Sequence, residues 1–347
     1  MTLLPDHHAD PDAAAHPDSG LFGMDVEPED AHVVLLPVPW EPTVSEGRGT
    51  ARGPGAVLKA SHQVDLVDPD LPRLDRVPMV MLPEDADVQD WNADACRLAK
   101  PIIAAGGAHP EDPSDLDACA RVDALTEQMH AWQREEARRY LDADQLVGLV
   151  GGDHSTPFGL ISELAERHDE GLGILHVDAH CDLREAYEGF AWSHASIFER
   201  VLALAPGVTR VVQVGIRDYS PGELAAVDGS MGRVRTFFDA ELRSEMFRGT
   251  TWDALCHQMI ERLPTAVHVS FDIDGLEPSL CPGTGTPVPG GLSWAEARHL
   301  LVVLARSGRR IVGFDLCEVG SGHWDGKVGA CVLRTLIGAA MASRTGA

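Results

Sequence analysis

From His32 onward the chain alternates between short apolar runs and longer stretches in which apolar residues return every three or four positions. The runs are rich in Val, Leu and Ile and read as strands: His32–Val38, Val77–Leu82, Gln145–Val150, Leu172–Val177, Arg210–Gly215, Arg233–Phe237, Ala266–Phe271 and Arg310–Leu316. The stretches between them predict helices at Pro54–Asp65, Ser114–Leu141, Pro157–Arg167, His194–Leu204, Pro221–Val227, Thr251–Arg262, Ser293–Arg306 and Gly326–Ala342. Uninterrupted apolar strands alternating with amphipathic helices are buried on both faces, so the expected fold class is α/β. The architecture is a three-layer α/β/α domain with a mostly parallel central sheet of about eight strands.

A chain of 347 residues accommodates this as a single domain, expected over residues 31–347. Residues 1–30, rich in Asp, Pro, His and Ala, hold few apolar groups and are expected as a flexible arm, with His7, His8 and His16 solvated. The 54 acidic against 28 basic residues give a net charge of −26, which disfavours nucleic acid and anionic membranes and suits cationic partners. The seven cysteines are scattered without CxxC spacing, which reads as reduced thiols. With no apolar run of about 18 residues and no signal-peptide pattern, a cytoplasmic protein is expected.

Chemistry concentrates where three predicted strands end: Gly151-Gly152-Asp153-His154-Ser155, Asp178-Ala179-His180-Cys181-Asp182 and Asp272-Ile273-Asp274-Gly275. In parallel α/β sheets the ligand site lies outside the carboxyl ends of the strands, so the three clusters converge. Alternate residues of an extended segment face one way, which lets Asp178, His180 and Asp182 share a cavity, as do Asp272 and Asp274. A lone HxD or DxD is most often a turn or a salt bridge. Four acids placed after apolar strands are different, because burying them unpaired costs several kcal/mol each. Four carboxylates and two imidazoles suit divalent ions such as Mn²⁺, Ni²⁺, Fe²⁺ or Co²⁺, and two ions balance the charge better than one.

These clusters resemble those of the ureohydrolase family of arginases, agmatinases and guanidinases. Gly283-Thr284-Gly285-Thr286-Pro287 and Phe314-Asp315-Leu316-Cys317-Glu318 extend the resemblance over residues 32 to 342. It implies two divalent ions, Ni²⁺ or Mn²⁺, with Asp178 and Asp272 bridging, His154 and Asp182 completing one ion, and His180 and Asp274 the other. It further implies attack of a metal-held hydroxide on a guanidinium carbon, releasing urea and an amine. Asp182 would accept a proton, His194 would shuttle protons with a pKa near neutrality, and Glu318 would grip the guanidinium. The family suggests homo-oligomers, trimers or hexamers, or a hetero-oligomer with a related subunit.

The segment Arg184–Trp192 lacks the Asn with which arginases hold the amino-acid end of arginine, so L-arginine is disfavoured. Tyr187, Phe190 and Trp192 offer rings to a small or alkylated guanidinium, with Tyr187 and Trp192 as substrate-binding candidates. With Leu35–Glu41 and Gly49–Pro54, which resemble the longer bacterial guanidinase-like branch, this points to guanidine or a biguanide such as metformin. Agmatine is the alternative, its amine meeting Glu185 or Glu188. A non-catalytic partner subunit and a single-zinc deacetylase-like amide hydrolase are the rival classes.

Overall fold

The computed structural model describes residues 14–345. All eight expected strands form: β1 Val33–Val38, β2 Met79–Met81, β3 Leu146–Gly151, β4 Leu172–Val177, β5 Val208–Ile216, β6 Val234–Phe238, β7 Ala266–Asp272 and β8 Arg310–Cys317. They make one sheet in the order β2-β1-β3-β8-β7-β4-β5-β6. Every neighbouring pair is parallel, so the sheet is wholly and not mostly parallel.

Among the described residues ten α-helices cover it: α1 Gly53–Ser61, α2 Ala86–Ala104, α3 Pro113–Leu141, α4 Phe158–Arg167, α5 Ile197–Leu204, α6 Pro221–Gly229, α7 Asp239–Phe247, α8 Trp252–Ile260, α9 Trp294–Arg306 and α10 His323–Thr345. Alternation along β1 shows the three layers: Val33 and Leu35 join one apolar core with α1, α8, α9 and α10. Val34, Leu36 and Val38 join another with α2, α3, α4 and α5. Leu300 and Leu304 of α9 are fully buried, and truncating either to Ala would cost about 2–5 kcal/mol.

Two helices escape the sequence pattern. The buried stripe of α2 is built largely of small residues (Val88, Ala95, Ala99, Ile102) and the helix carries Pro101. Its start is set by Asp85, whose carboxylate accepts from the backbone N–H of Asp87 and Val88. The charged α7 is tied down through Arg243, which bonds Asp239 and Glu296.

Of the expected arm, residues 1–13 lie outside the described residues, with His7 and His8. Residues 14–30 depart from a free arm, because Leu21, Phe22 and Met24 are buried in the α1 and α10 core. Phe22 N–H donates to Ser61 Oγ at 2.9 Å, fixing this stretch to its own domain. His16 is exposed, as expected.

The four central strands β3, β8, β7 and β4 are consecutive neighbours. Their carboxyl ends carry His154, Glu318, the Asp272–Asp274 pair and the Asp178–Asp182 cluster, so segments far apart in sequence open onto one place.

Candidate metal centre and active-site cleft

All six predicted metal-type side chains meet beyond those strand ends. His154 Nδ1 lies 2.9 Å from Asp178 Oδ2, 3.1 Å from Asp182 Oδ2 and 3.3 Å from Asp272 Oδ2. His180 Nδ1 lies 3.2 Å from Asp274 Oδ2 and 3.5 Å from Asp178 Oδ1. Asp178 therefore turns one oxygen to each half of the cluster.

Backbone hydrogen bonds hold the carboxylates in place. Asp178 Oδ1 accepts from His180 N at 2.6 Å, Asp272 Oδ1 from Asp274 N at 2.8 Å, and Asp274 Oδ1 from Ala179 N at 3.0 Å. The loop bearing His154 is braced by α3: His130 Nε2 bonds Ser155 O at 2.8 Å and Gln133 Nε2 bonds Thr156 O at 2.8 Å. Gly152 makes this loop possible, since a Cβ there would sit 1.9 Å from the carbonyl oxygen of Trp40. Asp182 and Glu318 both hold left-handed backbone conformations, φ 56° and 61°. That conformation is costly for a side chain, and such strain concentrates at functional sites.

The electrostatics are those of a cation site. Asp178, Asp182, Asp272 and Asp274 are all buried, and two imidazoles cannot offset four carboxylates. Burial and then Asp178 push Asp182 up to about 7. Burial, Asp274 and Asp178 push Asp272 well above the usual carboxylate range. Among the described residues, His154, His176, Asp178 and Asp182 form one group able to hold an ion, and Asp178, His180 and Asp274 another. The oxygen and imidazole set fits two hard or borderline divalent ions. Divalent ions bound there supply Lewis acidity and an activated water.

A cleft of about 300 Å³ leads to the cluster, reaching His180 and Asp182. Its walls include Glu46, Asp218, Glu223, Tyr187 and His194. His194 is anchored to Thr43, with Nδ1 3.3 Å and backbone N–H 3.2 Å from Thr43 Oγ1. Burial, then the charges of His180 and His154, push its pKa down to about 4, below the near-neutral value expected from the sequence. At neutral pH its imidazole is unprotonated. Glu318 is buried and not among the residues lining the cleft: Oε1 accepts from His154 N at 3.0 Å, and buried Oε2 has no hydrogen-bond partner among the described residues.

Two aromatic expectations are corrected. Trp192 is buried against His130 and Phe158 at ring-centroid distances of 4.7 and 4.8 Å, and its Nε1–H donates to Glu127. Phe190 is fully buried in the α3 core. Neither lines the cleft; of the three rings in the segment only Tyr187 does, and the Arg184 guanidinium, which also lines the cleft, lies 4.9 Å from its ring centroid.

Sequence reading missed Thr43 and the buried polar residues His176, Gln213, His268, Ser270 and Asp315. The available signal was polar residues at every second position of otherwise apolar strands, as in His268, Ser270 and Asp272.

A wholly parallel sheet that delivers buried acids and imidazoles from its central strand ends to the foot of one cleft is the construction of a metal-dependent hydrolase. The chain belongs to the arginase family, whose model matches residues 31–335. It is a ureohydrolase, a hydrolase of linear amidine C–N bonds, and the His and Asp clusters of the family's binuclear metal site are present. It is 34% identical over 305 residues to an N(1)-aminopropylagmatine ureohydrolase of Thermus thermophilus, covering 86% of each chain. The solved proclavaminate amidinohydrolase of Streptomyces clavuligerus shares the fold, with TM-score 0.70 at 22% identity over 95% of this chain and 99% of that one. So does the agmatine ureohydrolase of Thermoplasma volcanium, with TM-score 0.69 at 20% identity over 92% and 93%. No described helix is long and apolar enough to cross a membrane.

Proposed function

We propose that this chain hydrolyses the guanidino group of a linear guanidine carrying a second, distal amine, the class that includes agmatine and N(1)-aminopropylagmatine, and releases urea. The acidic cleft carries this reading. Glu46, Asp182, Asp218 and Glu223 line it, and Arg184 is the single Lys or Arg among the lining residues, with Nε 3.7 Å from Glu223. Such a cleft favours a substrate with positive charge along its length and disfavours one ending in a carboxylate. The rings that pointed toward guanidine or metformin are largely core, and besides His180 and Asp182 the cleft is lined by Glu46, Asp218 and Glu223. The similarity to an N(1)-aminopropylagmatine ureohydrolase agrees with this class.

In this reading His154 and Asp182 would hold one divalent ion, Mn²⁺ or Ni²⁺, and His180 and Asp274 a second, with Asp178 and Asp272 serving both, and the ions would supply Lewis acidity and an activated water. Glu318 receives the guanidinium through its unpartnered Oε2. Water adds to the guanidinium carbon, Asp182 takes the proton that water gives up, and a proton passed through His194 goes to the amine as the C–N bond breaks, leaving urea.

The test is urea release from agmatine, N(1)-aminopropylagmatine, 4-guanidinobutyrate, L-arginine, guanidine and metformin, by protein loaded separately with Mn²⁺ and Ni²⁺. The amine-bearing guanidines should show the highest kcat/KM. Guanidine, metformin or L-arginine as the best substrate under both metals would overturn the reading.

A further inference from the structure

Beneath the metal-type cluster a row of buried polar side chains crosses five neighbouring strands. Strand register places Thr236 beside Gln213, Gln213 beside His176, His176 beside Ser270, and Ser270 beside Asp315. Thr236 is 4% exposed and the other four are 0% exposed. An apolar row would fill the same space without the cost of burying these groups, so the row calls for an explanation.

Its hydrogen bonds have a determined direction. At the β6 end, Gln213 Nε2 lies 2.7 Å from the backbone carbonyl of Cys181. A carbonyl only accepts, so that atom of Gln213 is the amide nitrogen and its Oε1 accepts from Thr236 Oγ1 at 2.7 Å. The remaining amide hydrogen points to His176 Nδ1 at 3.1 Å, which makes Nδ1 the acceptor. His176 therefore carries its proton on Nε2 and donates to Asp178 Oδ2 at 2.7 Å.

The other end works on His154. As a carboxylate, Asp315 only accepts: Oδ2 from His268 Nε2 at 2.7 Å and Oδ1 from Ser270 Oγ at 2.9 Å. The serine has one hydrogen and directs it there, so at 2.9 Å it accepts from His154 Nε2–H. That leaves Nδ1 as the nitrogen turned to Asp178 Oδ2, Asp182 Oδ2 and Asp272 Oδ2, where a bound ion would take the place of its proton.

We propose that the row Thr236–Gln213–His176–Ser270–Asp315 is the positioning layer of the metal centre: one end orients Asp178, and the other fixes the tautomer that lets His154 bind an ion. None of the five is a metal ligand in this proposal; each acts through Asp178 or His154. The proposal rests on the reading of those two residues as ligands. Partners of this kind typically govern metal affinity by about 10- to 100-fold.

The test uses the full chain, stripped and titrated with Mn²⁺, in Ser270→Ala, Gln213→Leu and Ser270→Thr variants. Mn²⁺ dissociation constants are measured beside the melting temperature of the stripped protein. Both removals should weaken binding about 10- to 100-fold while the stripped protein melts near the wild-type temperature, and Ser270→Thr should restore affinity by restoring the hydroxyl. Long-range ¹H–¹⁵N spectra should show His176 protonated on Nε2 in the wild type, with that preference lost in Gln213→Leu. Unchanged Mn²⁺ affinity in both variants, or a loss that follows the melting temperature and is not rescued by Thr, would overturn the proposal. If wild-type protein itself fails to bind two ions, the ligand reading has failed, which is a distinguishable result.

Discussion

His154 and Asp178, 24 residues apart in sequence, meet with Nδ1 2.9 Å from Oδ2 in a fully buried setting. Asp178 also reaches toward His180 with its other oxygen, so it is the side chain that joins the two halves of the cluster. Asp178→Asn keeps the shape and removes the charge. We expect Mn²⁺ stoichiometry below two per chain and urea release reduced beyond the roughly 100-fold typical of losing an outer partner. Metal analysis after dialysis, beside circular dichroism to verify the fold, checks this.

Glu318 combines a left-handed backbone with a buried carboxylate oxygen lacking a partner among the described residues. Glu318→Gln retains the acceptor for His154 N–H and loses the charge that a guanidinium would meet. The expected result is a fall in kcat/KM of about 10- to 100-fold, the worth of a charge-assisted hydrogen bond at about 1.5–3 kcal/mol. Mn²⁺ binding should persist, so a titration of the variant separates substrate recognition from metal loss.

His130 lies under the His154 loop, and burial pushes its pKa down to about 4 from 6.5. The unfolded chain thus binds a proton that the folded one refuses between pH 6.5 and about 4. This group's contribution is intact above pH 6.5, declines as pH falls, and is lost below about 4, a difference of about 3 kcal/mol. His130→Gln keeps a donor for Ser155 O and removes the titration. Urea-unfolding midpoints measured across this window should fall less steeply with acid in the variant than in the wild type.

Trp192 supplies a contrast, because the structure makes it a packing residue. Trp192→Phe keeps a ring against His130 and Phe158 but loses the Nε1–H bond to Glu127. Stability should drop by about 1 kcal/mol, with a matching fall in melting temperature. KM for agmatine should be unchanged; a large rise in KM with stability intact would return Trp192 to the substrate site.

The cleft-facing role of His194 separates two levels of inference. The resemblance to the ureohydrolase family implied that it carries protons. Its depressed pKa follows from burial and from His180 and His154, none of which a linear reading places beside it. Phe190 and Trp192 depart from the expected pocket for a related reason: an aromatic ring in a loop has the same letter whether it faces substrate or core. Only the packing of α3 and α4 sends Phe190 and Trp192 inward.

By itself the sequence determined the eight strands, most of the helices and the six metal-type residues. Strand periodicity and the cost of burying unpaired acids act locally and leave a local trace. Tertiary structure decided which strands are neighbours, and with that the row from Thr236 to Asp315. Each member of that row is one polar residue in an apolar strand, and its meaning depends on register with strands distant in sequence. The direction of its hydrogen bonds follows from carbonyl and carboxylate groups that only accept, and only folding brings those groups within reach.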